Sequence, residues 1–262
     1  MGKKILIALV LMFLLYGFLV EPNKLKVTKY EIENSALKGI KAVFVGDFHV
    51  RPNDFARLKK IAETIRAQDA DLILSAGGYL KNDNESSSMP IEKIAEILST
   101  ANTKNRFYTV LSEQDASPEY KNKTVSALNR ASIIVLLNAN RRVVVKNKVI
   151  FIAGFEGNHE KAELERTLRS LSGNIILLSH SPSIFENVPS KVSLTLAGHT
   201  HGGQIRLPFY GGLFPPKDVD RKISYGLIEE NNKKMIVTSG LGTSGASFRI
   251  NCQPEIVVIE FK

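Results

Sequence analysis

An α/β layered fold with two β-sheets is predicted by three features of the 262-residue chain. Short β-branched runs alternate with helix-period segments through most of its length, the last quarter holds strands with no helix between them, and the residues richest in chemistry fall just behind strands. An apolar content of 44% against 23% charged residues suffices for one substantial core. A single globular unit over residues 23–262 is expected, behind an N-terminal membrane segment over residues 1–22.

Lys3 and Lys4 precede an uncharged run over residues 5–20. As a helix this run would rise roughly 24 Å against a hydrocarbon core of about 30 Å, short but usable with lysine snorkelling. No small-x-small cleavage site precedes Glu21-Pro22, so an uncleaved anchor is expected rather than a removed signal peptide. Pro22 should end the helix. Lys3 and Lys4 favour a cytoplasmic N-terminus and an extracytoplasmic domain, a bias that Lys24, Lys26 and Lys29 on the other flank weaken.

Behind the anchor, residues 41–45 form a β-branched run ending at Gly46-Asp47-Phe48-His49. Residues 55–67 have helical apolar spacing at Phe55, Leu58, Ile61, Ala62 and Ile65. Strand, helix, strand, helix, strand follow at residues 71–75, 91–98, 106–111, 124–129 and 133–137, with a polar loop at 82–88. Residues 142–145 and 149–153 read as a hairpin across Lys146-Asn147-Lys148. A helix is expected at 161–171 and strands at 174–178 and 192–196. The strands at 222–228, 233–239 and 255–261 read as an antiparallel closing sheet.

The formal charge of +9 and pI near 9.5 favour anionic partners such as phosphorylated substrates or acidic lipid headgroups. Lys and Arg are scattered, without a dense basic run or interleaved aromatics, so no nucleic acid is expected. Cys252 is the only cysteine, which excludes an intrachain disulfide and a cysteine-based zinc cage. A buried, inert thiol is expected there.

Asp47 and His49 follow one predicted strand, His180 a second, and His199 and His201 a third. Ligands in open α/β sheets gather beyond the carboxyl ends of strands. The Asp47-x-His49 and His199-x-His201 spacings suit loops whose alternate residues turn to neighbouring metal ions. Imidazole with carboxylate suits divalent manganese, iron, zinc or nickel. A lone histidine is more often a hydrogen-bonded structural residue; five such positions at three strand ends favour a metal site, or one that once held metal.

Three segments, Gly46-Asp47-Phe48-His49, Leu177-Leu178-Ser179-His180-Ser181-Pro182 and Leu196-Ala197-Gly198-His199-Thr200-His201-Gly202-Gly203-Gln204, resemble the first and last metal motifs of the calcineurin-like metallophosphoesterases in order and spacing. The tail Ser239-Gly240-Leu241-Gly242-Thr243-Ser244, with Arg249 and Pro254-Glu255-Ile256, resembles the branch with a membrane anchor or secretion signal, which includes phosphodiesterases and lipid-directed pyrophosphatases. The resemblance covers residues 21–262. It implies a two-sheet sandwich flanked by helices and two metals bridged by an aspartate and a hydroxide that attacks phosphorus. By position, Asp47, His49 and His201 would serve the first metal, and His180 and His199 the second.

The middle motifs depart from that pattern. The family's Gly-Asp motif aligns with Gly77-Gly78, so the bridging aspartate is replaced by Gly78. Its Gly-Asn-His-Asp motif aligns with Ser112-Glu113-Gln114-Asp115; Glu113 could still bind metal, whereas Gln114 cannot act as a general acid. On this register one ion or none is expected, and restoring Gly78→Asp, Glu113→Asn and Gln114→His together should raise activity. Gly157-Asn158-His159-Glu160 spells the missing motif later in the chain. It either supplies the lost groups, with His159 as a catalytic candidate, or starts the next helix with Asn158 as its cap; order favours the cap.

Two function classes follow. One is an impaired or inactive metallophosphoesterase-family protein that binds a phosphate-containing small molecule, a lipid or a partner at the membrane. The other is an active, single-metal or altered-site hydrolase of phosphodiester or pyrophosphate bonds in a lipid or nucleotide.

Overall fold

The computed structural model describes residues 2–81, 85–156 and 161–262. Two six-stranded mixed sheets pack face to face, with helices on both outer faces. In the first sheet, β2 (Lys41–Val45), β3 (Leu72–Ser75), β4 (Phe107–Thr109) and β5 (Ile133–Val135) run parallel. β14 (Glu255–Phe261) pairs antiparallel with β2 and parallel with β1 (Lys26–Ile32) at the edge. In the second sheet, β7 (Lys148–Phe155), β8 (Ile175–Ser179), β9 (Leu194–Ala197) and β13 (Lys233–Val237) run parallel. β6 (Ala139–Val145) and β12 (Gly226–Glu230) close it antiparallel at either edge.

Strands apolar on both faces fit a four-layer arrangement, because both sides are covered. Along β2, Ala42 and Phe44 point between the sheets while Val43 and Val45 meet the helical layer. The inner layer also holds Leu72, Leu74, Ile150, Ile152, Ile176, Leu178 and Ile259. Helices α2 (Phe55–Ala67), α3 (Ile91–Ser99) and α4 (Lys121–Arg130) cover the first sheet through Leu58, Ile61, Ile94, Leu98 and Leu128. Helix α5 (Lys161–Leu168) covers the second through Leu164 and Leu168.

One strand was not foreseen and two expectations are corrected. Strand β1 had no strand signal, since Lys26, Lys29 and Glu31 break its apolar pattern; it is an edge strand, where charges are favoured. The last strands do not form a sheet of their own: β12 and β13 extend the second sheet, while β14, apolar on both faces, inserts between β1 and β2. The expected strand at 222–228 starts later, because Asp220 accepts from the Lys222 amide at 2.8 Å and nucleates a turn, Arg221–Ile223.

The N-terminal segment is helical from Gly2 to Asn23, longer than the apolar run suggested, with a mean hydropathy of 2.4 over its most apolar 18 residues. At 1.5 Å per residue it reaches about 33 Å, enough to cross a bilayer. It is a candidate membrane anchor, with α1 (Gly2–Leu15) exposed and its base docked. Gly17 is buried against Phe248 and Ile250, its carbonyl accepts from the Arg249 amide at 3.0 Å, and Phe18 packs on Phe248 at 4.6 Å between ring centroids.

Candidate metal centre

The loops leaving β2, β3, β8 and β9 converge where the carboxyl ends of the two sheets meet. Asp47 and His49 donate their amides to the carbonyls of Gly77 and Gly78, each at 2.8 Å, which fixes the β2 loop against the β3 loop. The His199 amide donates to Asp47 Oδ2 at 2.9 Å and joins the two sheets at this point. Asp47, His49, His199 and His201 all adopt left-handed backbone angles, with φ of 49°, 39°, 70° and 49°. Strain of this kind persists where surrounding contacts over-determine it, commonly at functional sites.

Asp47, His49 and His201 are buried, and one ligand atom from each lies within 4.8 Å of the others. His49 Nδ1 donates to the Leu80 carbonyl at 3.0 Å and His201 Nδ1 to the Gly242 carbonyl at 3.3 Å. These contacts assign the protons to Nδ1 and leave both Nε2 lone pairs facing each other at 3.2 Å. Two such lone pairs repel unless a cation lies between them. Asp47 Oδ1, also buried, has no hydrogen-bond partner among the described residues. Two bare imidazole nitrogens and an orphaned carboxylate oxygen fit a divalent first-row metal.

Burial pushes the proton affinity of His49, His199 and His201 down, with Asp47 opposing; His201 falls furthest, helped by His49 and Arg249. Burial would raise the Asp47 carboxyl, but the four histidines around it hold it below the ordinary aspartate range. His49, His199 and His201 therefore stay neutral in the folded chain at pH values where they would be charged in the unfolded one. Below about pH 6.5, the ordinary histidine value, the unfolded chain binds more protons and stability falls. In chelator, the urea midpoint should drop as pH is lowered from about 7 to 5.5, and His201→Ala should flatten the profile. A midpoint that ignores pH through this window would rule out the burial effect.

The remaining site residues sit around this cluster but do not join it. His180 Nδ1 donates to the Ala76 carbonyl at 2.8 Å and lies 3.9 Å from Asp47 Oδ1, and its ring meets His199 edge-on at 5.1 Å. Glu113 is exposed at the rim, where its charge still reaches His199. Gln114, His49, His180, His199 and His201 line one cavity of 540 Å³. His159 and the rest of residues 157–160 lie outside the described residues.

Gly78 lies directly against Asp47. It has a φ of +76°, and a Cβ there would stand 2.7 Å from Asp47 Cα. The loop backbone has thus closed onto Asp47, and the proposed restoration of an aspartate lacks room for its first carbon. Asp115, whose role was not legible in sequence, holds that loop down. Its buried carboxylate accepts the amides of Gly78 at 2.7 Å, Tyr79 at 3.0 Å, Leu80 at 3.0 Å and Ser112 at 3.1 Å.

Sequence reasoning also missed Asp218, whose Oδ1 lies 3.8 Å from His199 Nε2. It has no motif, and only the path of the loop behind Pro215-Pro216 brings it there. The C-terminal tail closes the site from above: Gly242 donates to the Asp47 carbonyl at 2.6 Å and Leu241 to that of Gly46 at 3.0 Å. Gly240 permits this approach, since a Cβ there would stand 2.7 Å from Asp47 Cβ. Buried Arg249 ties the tail together by donating to the carbonyls of Ser239, Gly242 and Cys252. The buried Cys252 donates to the His201 carbonyl at 3.3 Å, beside the site but directed away from it.

No family model matches the chain. Several curated proteins align along most of it, among them the following two. The uncharacterized metallophosphoesterase YkuE of Bacillus subtilis (strain 168) is 27% identical over 262 residues, 94% of this chain and 89% of that protein. The phosphodiesterase YaeI of Escherichia coli (strain K12) is 28% identical over 228 residues, 84% of this chain and 81% of that protein. Along most of its length the chain is thus similar to proteins named metallophosphoesterase and phosphodiesterase. Among solved structures, the Haemophilus influenzae NAD nucleotidase (NadN) superposes with a TM-score of 0.52 at 16% identity, over 77% of this chain. This chain spans only 45% of that structure, which supports the two-sheet fold alone.

Proposed function

We propose that this chain is a metallophosphoesterase-family protein that holds one divalent cation on Asp47, His49 and His201 and binds a phosphate-containing ligand in the adjoining cavity, with hydrolysis impaired or lost. In this reading residues 1–22 anchor the phosphoesterase unit, residues 23–262, to the membrane, with that unit on the extracytoplasmic side. The observation that carries it is the convergence of the two unprotonated Nε2 atoms beside the orphaned Asp47 oxygen. A divalent cation bound there would polarise a phosphoryl oxygen and offset phosphate charge. Arg51 and Lys81, which converge on Thr243 at the rim, offer further positive charge to an anionic ligand.

The impairment follows from two residues. Gly78 offers no side chain to a second ion, and Gln114, in the place of the family's histidine, has no proton to give a leaving group. The intact Asp47, His49 and His201 set favours a second reading, a slow single-metal phosphodiesterase, in line with the phosphodiesterase name of the Escherichia coli relative.

Metal content and turnover of a generic phosphodiester, with and without manganese, test both readings on the full chain in detergent. About one bound equivalent is expected, with turnover some 10²–10⁴-fold below that of the Escherichia coli relative, the usual cost of a missing general acid. Two equivalents with equal turnover would overturn the impaired reading. Metal-free protein would overturn the single-ion site.

A further inference from the structure

We propose that the hairpin of β10 (Arg206–Leu207) and β11 (Gly211–Gly212) is a second membrane contact, docking its aromatic tip on the anionic surface of the same bilayer that takes the N-terminal helix, so that the metal-site cavity opens at the lipid boundary. Water-soluble proteins rarely cluster large exposed apolar side chains without a partner. Here Phe209 is fully exposed, Phe214 is 69% exposed, Tyr210 53% and Leu207 45%, all within one short segment. Aromatic side chains of this kind are enriched at membrane interfaces.

The occupant is identified by what the hairpin is attached to. The Arg206 amide donates to the Ile250 carbonyl at 2.9 Å, and Ile205 bridges to Ile250. Ile250 and its neighbour Phe248 are the residues on which Gly17 and Phe18 of the anchor helix rest. Arg206 also lines a 470 Å³ cavity together with Phe13 and Tyr16 of that helix. The hairpin therefore springs from the base of the helix, where a bilayer taking the helix would end.

Charge agrees with an anionic surface. Arg206, Lys217, Arg221 and Lys222 outnumber Asp218 and Asp220 in the same segment. Arg221 stacks on the Tyr210 ring at 4.0 Å and Arg206 on Tyr225 at 4.5 Å, which places cations beside the apolar tip. Phe214 and Phe248 line the metal-site cavity as well, so the cavity borders both the hairpin and the base of the helix. A phosphate group carried on a lipid could enter there without leaving the interface.

The chain has no tryptophan, which makes the test direct. Phe209→Trp in the full chain, reconstituted in phosphatidylglycerol-containing vesicles, should show blue-shifted emission. Lipids brominated near the headgroup end of their acyl chains should quench it severalfold more than they quench Val144→Trp, on exposed β6 in the second sheet. Replacing phosphatidylglycerol with phosphatidylcholine should weaken that quenching. Equal quenching of the two variants, with Phe209→Trp open to iodide in either lipid, would overturn the proposal and direct the hairpin to a protein partner. Flotation of the unaltered chain with vesicles tests the anchor separately, and neither readout depends on catalysis or bound metal.

Discussion

Replacing His201 with alanine is expected to abolish tight metal binding and the thermal stabilisation that metal confers. A ligand present at a hundredfold excess over its dissociation constant stabilises the folded state by about 2.7 kcal/mol. For a domain of this size that corresponds to a rise in Tm of about 5–10 °C. The imidazole removed is one of two whose Nε2 atoms face each other at 3.2 Å, and the remaining pair, His49 and Asp47, offers too few donors for a closed site. Thermal melts of both proteins with and without manganese or zinc give the result. The unaltered chain should gain those degrees and His201→Ala should gain none. An equal rise in both proteins would place the bound ion elsewhere.

Gly78→Asp, the substitution that the motif alignment invites, is expected to destabilise the chain and restore nothing. Its new Cβ would fall 2.7 Å from Asp47 Cα, on backbone that cannot yield without breaking the paired amides of Asp47 and His49. The residue would also be held at a φ of +76°, which costs a side-chain-bearing residue about 1–2 kcal/mol. Overpacking adds about 1–3 kcal/mol, and a second carboxylate beside Asp47 adds repulsion. The combined loss of about 2–5 kcal/mol should lower Tm by roughly 4–20 °C at 2–4 °C per kcal/mol. A variant that melts with the parent and gains a second metal equivalent would show that the β3 loop opens readily. The altered site would then be a simple ligand loss.

Much of this was legible along the chain. The strands apolar on both faces and the helices between them announced themselves through periodicity. Asp47, His49, His180, His199 and His201 stood at strand ends where a site could form. Strand β1 was illegible because an edge strand tolerates Lys26, Lys29 and Glu31, which erase the apolar signal. Asp218 and Asp115 were illegible as participants for a different reason. Asp218 reaches His199 only by the path of a loop, and Asp115 acts on the amides of Gly78, Tyr79 and Leu80, which lie more than thirty residues away.

The sequence by itself determined the layered α/β class, the apolar N-terminal helix and the types of donor available, because these depend on side-chain chemistry and short-range spacing. Only the tertiary structure decided that three of the six candidate ligands, Asp47, His49 and His201, bring ligand atoms within 4.8 Å of one another while His180 and His199 flank them, since convergence depends on how two sheets meet and which ring N–H groups their carbonyls accept from. It also decided that the Gly78 backbone packs directly against Asp47, leaving no room for a Cβ. That packing is a matter of backbone position, which residue identity does not record.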